Sequence, residues 1–170
     1  MGEGHAAAGK GDYRAAFELW LPLAEDGDTG ARYNIAQLYR LGRGVEQDYA
    51  QAARWYAAAA AFFHTPSRYN LAVMHEKGLG VPINYEEARR LYRLAANQGY
   101  RRAQFNLGVM YSIGQGAEPD WPRAHMWYSL AAAQGDAEAE KNRKLLAGRM
   151  TEDQIARAAD MLSDWRKRWE

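Results

Sequence analysis

From Ala31 onward the apolar residues fall into two alternating stripes. Ala31, Ile35, Leu38 and Tyr39 stand at i, i+4, i+7 and i+8, one face of a helix. Gly42 and Gly44 break that stripe. The first supplies the left-handed residue that helix C-termini favour, and the second keeps the turn tight. Asp48 then stands where a side-chain oxygen can accept a hydrogen bond from an unpaired backbone N–H of the next helix. Beyond it, Ala52, Trp55, Tyr56, Ala59 and Ala60 draw a second stripe, with small alanines beside large aromatics so that neighbouring helices can interlock.

The same grammar returns every 36 residues without a slip. One column holds Asn34, Asn70, Asn106 and Asn142. Others hold Gly42, Gly78 and Gly114; Gly44, Gly80 and Gly116; Ala16, Ala52, Ala88 and Ala124; and Trp20, Tyr56, Tyr92 and Tyr128. Asp12, Asn84 and Asp120 match Asp48. The pattern predicts one helix type near 31–41, 67–77, 103–113 and 137–147, and a second type near 13–26, 49–62, 85–98 and 121–134. A final helix is expected near 152–168, opened by the capping-box spacing of Thr151 and Gln154 and closed by basic residues that its dipole favours.

One such hairpin cannot bury its apolar face alone, whereas stacked hairpins can. The expected fold is therefore all-α: a right-handed α-α superhelical solenoid of 36-residue helix pairs, forming a single domain over 1–170. Its divisions are a partial first unit at 12–30, repeats at 31–66, 67–102 and 103–136, and a C-terminal unit with its capping helix at 137–170.

The repeated "A-x-x-N-L-G-x-x-Y-x-x-G-x-G-V", followed by Asp and by "A-x-x-W-Y-x-x-A-A-x-Q-G", resembles the Sel-one-like repeat family, relatives of the tetratricopeptide repeats. The resemblance covers about Asp12 to Gly148, and "MTEDQIARAADML" is similar to endings common in that family. It implies an α-solenoid acting as an adaptor or scaffold in protein assemblies, often bacterial. Disulfide-rich members linked to penicillin binding or β-lactam hydrolysis carry paired cysteines in each unit. This chain has no cysteine, so nothing is carried over from them.

Composition narrows the chemistry further. The absence of cysteine removes disulfides, thiolate metal sites and thiol catalysis together. The net charge of +1 is spread without a basic stripe, which argues against nucleic acid as a partner. No apolar run reaches the roughly 18 residues of a membrane span, so no membrane insertion is expected. The amino terminus, "MGEGHAAAGKGDY", reads as a cut edge carrying the last turn of something helical. The compartment stays open between bacterial cytoplasm and periplasm, and the oligomeric state stays open as well.

Candidate catalytic groups find simpler explanations. His5, His64, His75 and His125 show no metal-ligand spacing. His75, in the column of Tyr39 and Tyr111, reads as a packed aromatic substitute or as a pH-sensitive spot. Glu86 and Glu87 suit the first turn of a helix. "GLG" and "GQG" are too short for phosphate loops, and no serine sits in an elbow motif. Neither an enzyme, a cofactor nor a metal is expected.

What remains is the second face of the first-type helix, which the family resemblance places on the inner, concave wall. Its residues are Tyr33, Asn34, Gln37 and Leu41; Tyr69, Asn70 and Val73; Phe105, Asn106 and Val109; and Asn142. A merely solvated face would be rich in Lys and Glu. Aromatics beside a ladder of amides instead suit an extended peptide, with apolar contacts for side chains and amides for its backbone. The asparagines have a competing reading, in which they bond the adjacent hairpin's backbone and fix the repeat spacing. The junction "AFFHTPSR" breaks the pattern: Phe63 replaces the capping glycine, Thr65 offers an N-cap and Pro66 suits a first helical turn. It reads as a repacked corner or as a secondary contact patch of Phe62, Phe63 and His64. The expected function is a non-enzymatic scaffold binding a protein or peptide on its concave face. The alternative is a bacterial envelope protein binding peptidoglycan fragments or another small ligand.

Overall fold

The computed structural model describes residues 1–169, which form ten helices and no strand. They are α1 (Gly2–Gly9), α2 (Tyr13–Glu25), α3 (Thr29–Leu41), α4 (Tyr49–Ala60), α5 (Thr65–Lys77), α6 (Tyr85–Ala96), α7 (Arg101–Ile113), α8 (Trp121–Ala133), α9 (Ala137–Ala147) and α10 (Glu152–Trp169). Odd-numbered α3 to α9 are first-type helices and even-numbered α2 to α8 second-type, as the two stripes require. First-type α3, α5 and α7 begin two residues earlier than their apolar stripes, because a cap needs no apolar residue. The chain divides into two compact units, residues 1–84 and residues 85 onward.

In the first unit each helix packs on the next, from α1 to α5. Ala16 and Ala52 are fully buried against the large rings of Trp20 and Tyr56. Ala31, Ile35 and Leu38 form the buried stripe of α3, joined by Ala36, while Tyr39 stays half-buried and packs edge-on to Phe17. The amino-terminal segment is a short helix, α1, joined to α2 by three residues. Gly4 lies directly against the Trp20 indole, where any Cβ would fall 2.3 Å from the indole nitrogen.

In the second unit α6, α7, α8 and α9 pack in sequence. Ala88, Tyr92, Leu107, Ala124 and Tyr128 repeat the same core columns. Helix α10 departs from the rhythm: it packs on α8 and scarcely touches α9. Trp165 stacks edge-on to Trp127 at 6.2 Å and donates its indole N–H to Asn97 Oδ1 at 3.0 Å, so the last helix is firmly docked.

The caps explain the helix ends. Asp12, Asp28, Asp48, Asp120 and Asp136 each accept a backbone N–H of the first turn. Thr151 and Gln154 bond reciprocally, a complete capping box. Gly42, Gly78 and Gly114 close their helices in the left-handed conformation, with φ of 64°, 69° and 71°. The second glycine column does more than tighten a turn. A Cβ on Gly44 would lie 2.4 Å from the Tyr13 carbonyl carbon, and one on Gly80 would lie 2.2 Å from that of Tyr49. Each loop thus seats directly on the main chain at the start of the preceding second-type helix.

The junction before α5 corrects one expectation. His64, not Thr65, is the N-cap, its Nδ1 accepting the Ser67 N–H at 3.3 Å and facing the Ser67 hydroxyl at 2.8 Å. An imidazole nitrogen with a lone pair serves the unpaired donor as an oxygen would. Pro66 occupies the first turn, and Phe63 holds φ at +62° in the column where Gly27, Gly99 and Gly135 stand.

Candidate functional site: the free face of the first-type helices

On α3, Tyr33, Asn34 and Gln37 are half-buried and Leu41 is exposed. Gln37 holds the segment together: its Nε2 donates to the Tyr33 hydroxyl, and its Oε1 accepts from Arg40 Nε at 3.0 Å and Nη2 at 2.8 Å. The Tyr33 ring packs at 5.9 Å from that of Tyr56 and at 5.0 Å from that of His64. Asn70 and Val73 of α5 are half-buried, as is Tyr69. Asn70 donates to the Pro66 carbonyl of its own helix at 2.9 Å.

In the second unit Phe105, Asn106 and Val109 of α7 and Asn142 of α9 are half-buried. Phe105 packs on Tyr128 at 5.9 Å, the counterpart of the Tyr33–Tyr56 contact. Asn106 donates to the Tyr92 hydroxyl at 2.8 Å, fourteen residues back. Neither Asn70 nor Asn106 bonds an adjacent hairpin's backbone; one bonds its own helix and the other a core phenol. Val109 and Asn142 share a cleft of about 370 Å³ with Ser112, Ile113, Trp121, Tyr128, Leu145, Leu146 and Arg149. Two of its lip residues, Ile113 and Leu145, are 65% and 61% exposed. Such surface is costly to leave in water and useful only when something covers it.

The secondary patch divides. Phe62 and Phe63 are 63% and 72% exposed, and lie against the guanidinium groups of Arg32 at 5.3 Å and Arg68 at 4.9 Å. His64 is turned to Tyr33 and Ser67 instead.

Burial tunes the titratable groups. It pushes the Tyr56 phenol up, against an opposing pull from the Arg40 guanidinium through its charge and its approach as a hydrogen-bond donor. It pushes the Tyr128 phenol up, partly offset by the bond to Ser112. It pushes the His64 imidazole below its ordinary value, and does the same to His125 with help from the Arg143 charge. Hydrogen bonds from Arg143 and Lys144 hold Glu140 down, to about 2. Among the described residues no cluster of three His, Cys, Asp or Glu side chains is arranged to hold a metal ion. Among the same residues no helix is long and apolar enough to cross a membrane.

Sequence reasoning passed over a further column, Arg32, Arg68 and Gln104. Arg32 Nε donates to the Ala24 carbonyl, Arg68 Nε to that of Ala60 and Gln104 Nε2 to that of Ala96, in each case eight residues back. These side chains tie the end of each second-type helix to the helix that follows. Arg68 and Gln104 are buried. The signal was present: long polar donors recur beside the buried alanines at 31 and 103, where an amphipathic face alone would place anything polar.

The Sel1 repeat model matches residues 1–28, 29–61, 65–100 and 101–136, most of the chain. Among solved structures, a Sel1 repeat protein from Oxalobacter formigenes is 33% identical with a TM-score of 0.72, over 75% of this chain and 52% of its own. A protective antigen of uropathogenic Escherichia coli displaying an SLR fold is 24% identical with a TM-score of 0.69, over 91% of this chain and 41% of its own. The chain thus spans about half the length of the first and less of the second. No curated protein matches the sequence.

Proposed function

Since the chain belongs to the Sel1 repeat family, whose members are generally non-catalytic scaffolds for protein interaction, we propose that it binds an extended peptide segment of a partner protein on the free face of the first-type helices α7 and α9. The observation that carries this reading is the cleft between α7, α8 and α9. It sets an apolar floor of Val109 and Leu146 between the exposed lips Ile113 and Leu145, with the Asn142 amide at its side. An apolar side chain of the peptide fills the floor. The amide, both donor and acceptor, serves its backbone whatever its sequence. On α3 the half-buried Tyr33 and Asn34 offer the same pairing of ring and amide.

The test is selection from a displayed peptide library, followed by affinity measurement by fluorescence anisotropy. Ile113→Asp and Leu145→Asp, both at exposed positions, are expected to weaken selected peptides by about tenfold or more, since each removes apolar contact and buries a charge. Their melting temperatures should stay near that of the parent. Selected peptides indifferent to both substitutions, or no enrichment at all, would remove the reading.

A further inference from the structure

The Tyr56 hydroxyl is fully buried and makes no hydrogen bond of ordinary geometry; the Arg40 guanidinium approaches it as a donor without completing one, and the phenol's own hydrogen has no acceptor. Its counterparts do not share this condition. Tyr92 accepts from Asn106, and the Tyr128 hydroxyl lies 3.4 Å from that of Ser112. Asn70, which occupies the position of Asn106, is spent on the Pro66 carbonyl. A buried hydroxyl left unmet is destabilising, so an occupant of the site is the natural place to look for its partner.

The surroundings say what kind of occupant. Arg40 has no carboxylate partner among the described residues; it donates twice to Gln37 Oε1, which leaves the remaining guanidinium N–H groups. The Tyr33 hydroxyl accepts from Gln37, so its own hydrogen is available. His64 uses Nδ1 as an acceptor, which puts the ring hydrogen on Nε2. Neither α3 nor α4 contains an Asp or Glu. The cluster is rich in donors, one of them a cation, and its own helices supply a neutral amide oxygen but no carboxylate to meet them.

We propose that Arg40, Tyr56 and Tyr33 form a carboxylate-binding subsite, which seats an acidic side chain or the terminal carboxylate of a bound peptide. The carboxylate accepts from the Arg40 guanidinium and from the two phenols, and in doing so satisfies the hydroxyl that the repeat leaves unmet. Reaching Tyr56 requires Tyr33 and Arg40, both half-buried, to part around the incoming group. The proposal rests on the peptide-binding reading, carried to the same helix face in the first unit, and specifies one end or one residue of a peptide held there.

The first experiment compares the melting of Tyr56→Phe with that of Tyr92→Phe in the full chain. Tyr56→Phe is expected to melt at or above the parent temperature, because it removes only an unmet hydroxyl, whereas Tyr92→Phe melts lower. Equal losses would mean that Tyr56 is already partnered in the free protein, and would overturn the subsite. The second follows the Arg40 Nε–H resonance, assigned by its loss in Arg40→Gln, during titration with sodium acetate at constant ionic strength. A saturable shift absent with chloride, and at least about fivefold weaker in Tyr56→Phe, is expected. No saturable shift, or one produced by inorganic phosphate and not by acetate, overturns the subsite. Selected peptides then separate the two readings. If some depend on Leu145 and none on Arg40, the groove stands and the subsite falls; acetate binding without any selected peptide leaves the subsite and removes the groove. Amidated termini and Glu→Gln replacements in the peptides tell a terminal carboxylate from a side-chain one.

Discussion

Single residues in this molecule have separable duties. Asn70 and Asn106 stand in one column, yet Asn106→Ala removes a donor from the buried Tyr92 hydroxyl while Asn70→Ala releases only a second bond to a helix carbonyl. Asn106→Ala should therefore cost about 1–3 kcal/mol and Asn70→Ala distinctly less, read from urea unfolding. Phe63 sits in the left-handed region, which costs a non-glycine residue about 1–2 kcal/mol, more than its exposed stacking on Arg68 returns. Phe63→Gly is accordingly expected to raise stability by about 0.5–1 kcal/mol, and a drop would show that the stacking dominates. His64 adds a pH dependence. Its folded pKa is lowered, so the unfolded chain binds the proton more readily. The cap's contribution is complete above the ordinary imidazole value of 6.5 and fades as pH falls through it towards the folded one. Between pH 8 and 5 the parent should lose melting temperature faster than His64→Asp, whose carboxylate caps α5 without needing a neutral ring. The columns and the reason for them could be read from sequence. The direction each amide turns could not, because Asn70 and Asn106 differ only in what their neighbours leave free.

At the scale of helices, the apolar stripes located every second-type helix to within about two residues at either end, because stripe and cap agree there. The first-type starts and the α1 helix were less visible. Asp28 and His64 lie in stretches without apolar period, and α1 is a run of Gly and Ala that carries no stripe at all. The packing of α10 on α8 could not be read either, since nothing local distinguishes it from another second-type helix. It makes a sharp expectation. Removing residues 149 onward bares Met126 and Trp127 on α8, both buried in the full chain and facing α10. The truncated protein should aggregate or melt well below the parent. A soluble monomer of unchanged melting temperature in size-exclusion and calorimetric runs would contradict the observed docking.

For the molecule as a whole, each unit has its own buried columns, and stability is a sum of local terms with neighbour couplings. Gln104→Ala, which removes one of the bonds to the Ala96 carbonyl and the acceptor of Gln134 Nε2, should lower amide-exchange protection chiefly in residues 85 onward and leave α2 and α3 nearly as slow as before. Uniform loss along the chain would mean that both units open together. The second glycine column reaches further than stability. Because Gly44, Gly80 and Gly116 each abut the opening residue of the preceding second-type helix, and do so on the main chain at Tyr13 and Tyr49, a helix pair there meets its predecessor through atoms every residue possesses. Pairs joined in that way are interchangeable at the seam: a duplicated or transplanted pair docks without a matching side chain on the other side. Gene duplication can lengthen such a chain one unit at a time while each inner face diverges on its own, and an in-frame second copy of residues 49–84 is expected to fold as one more pair.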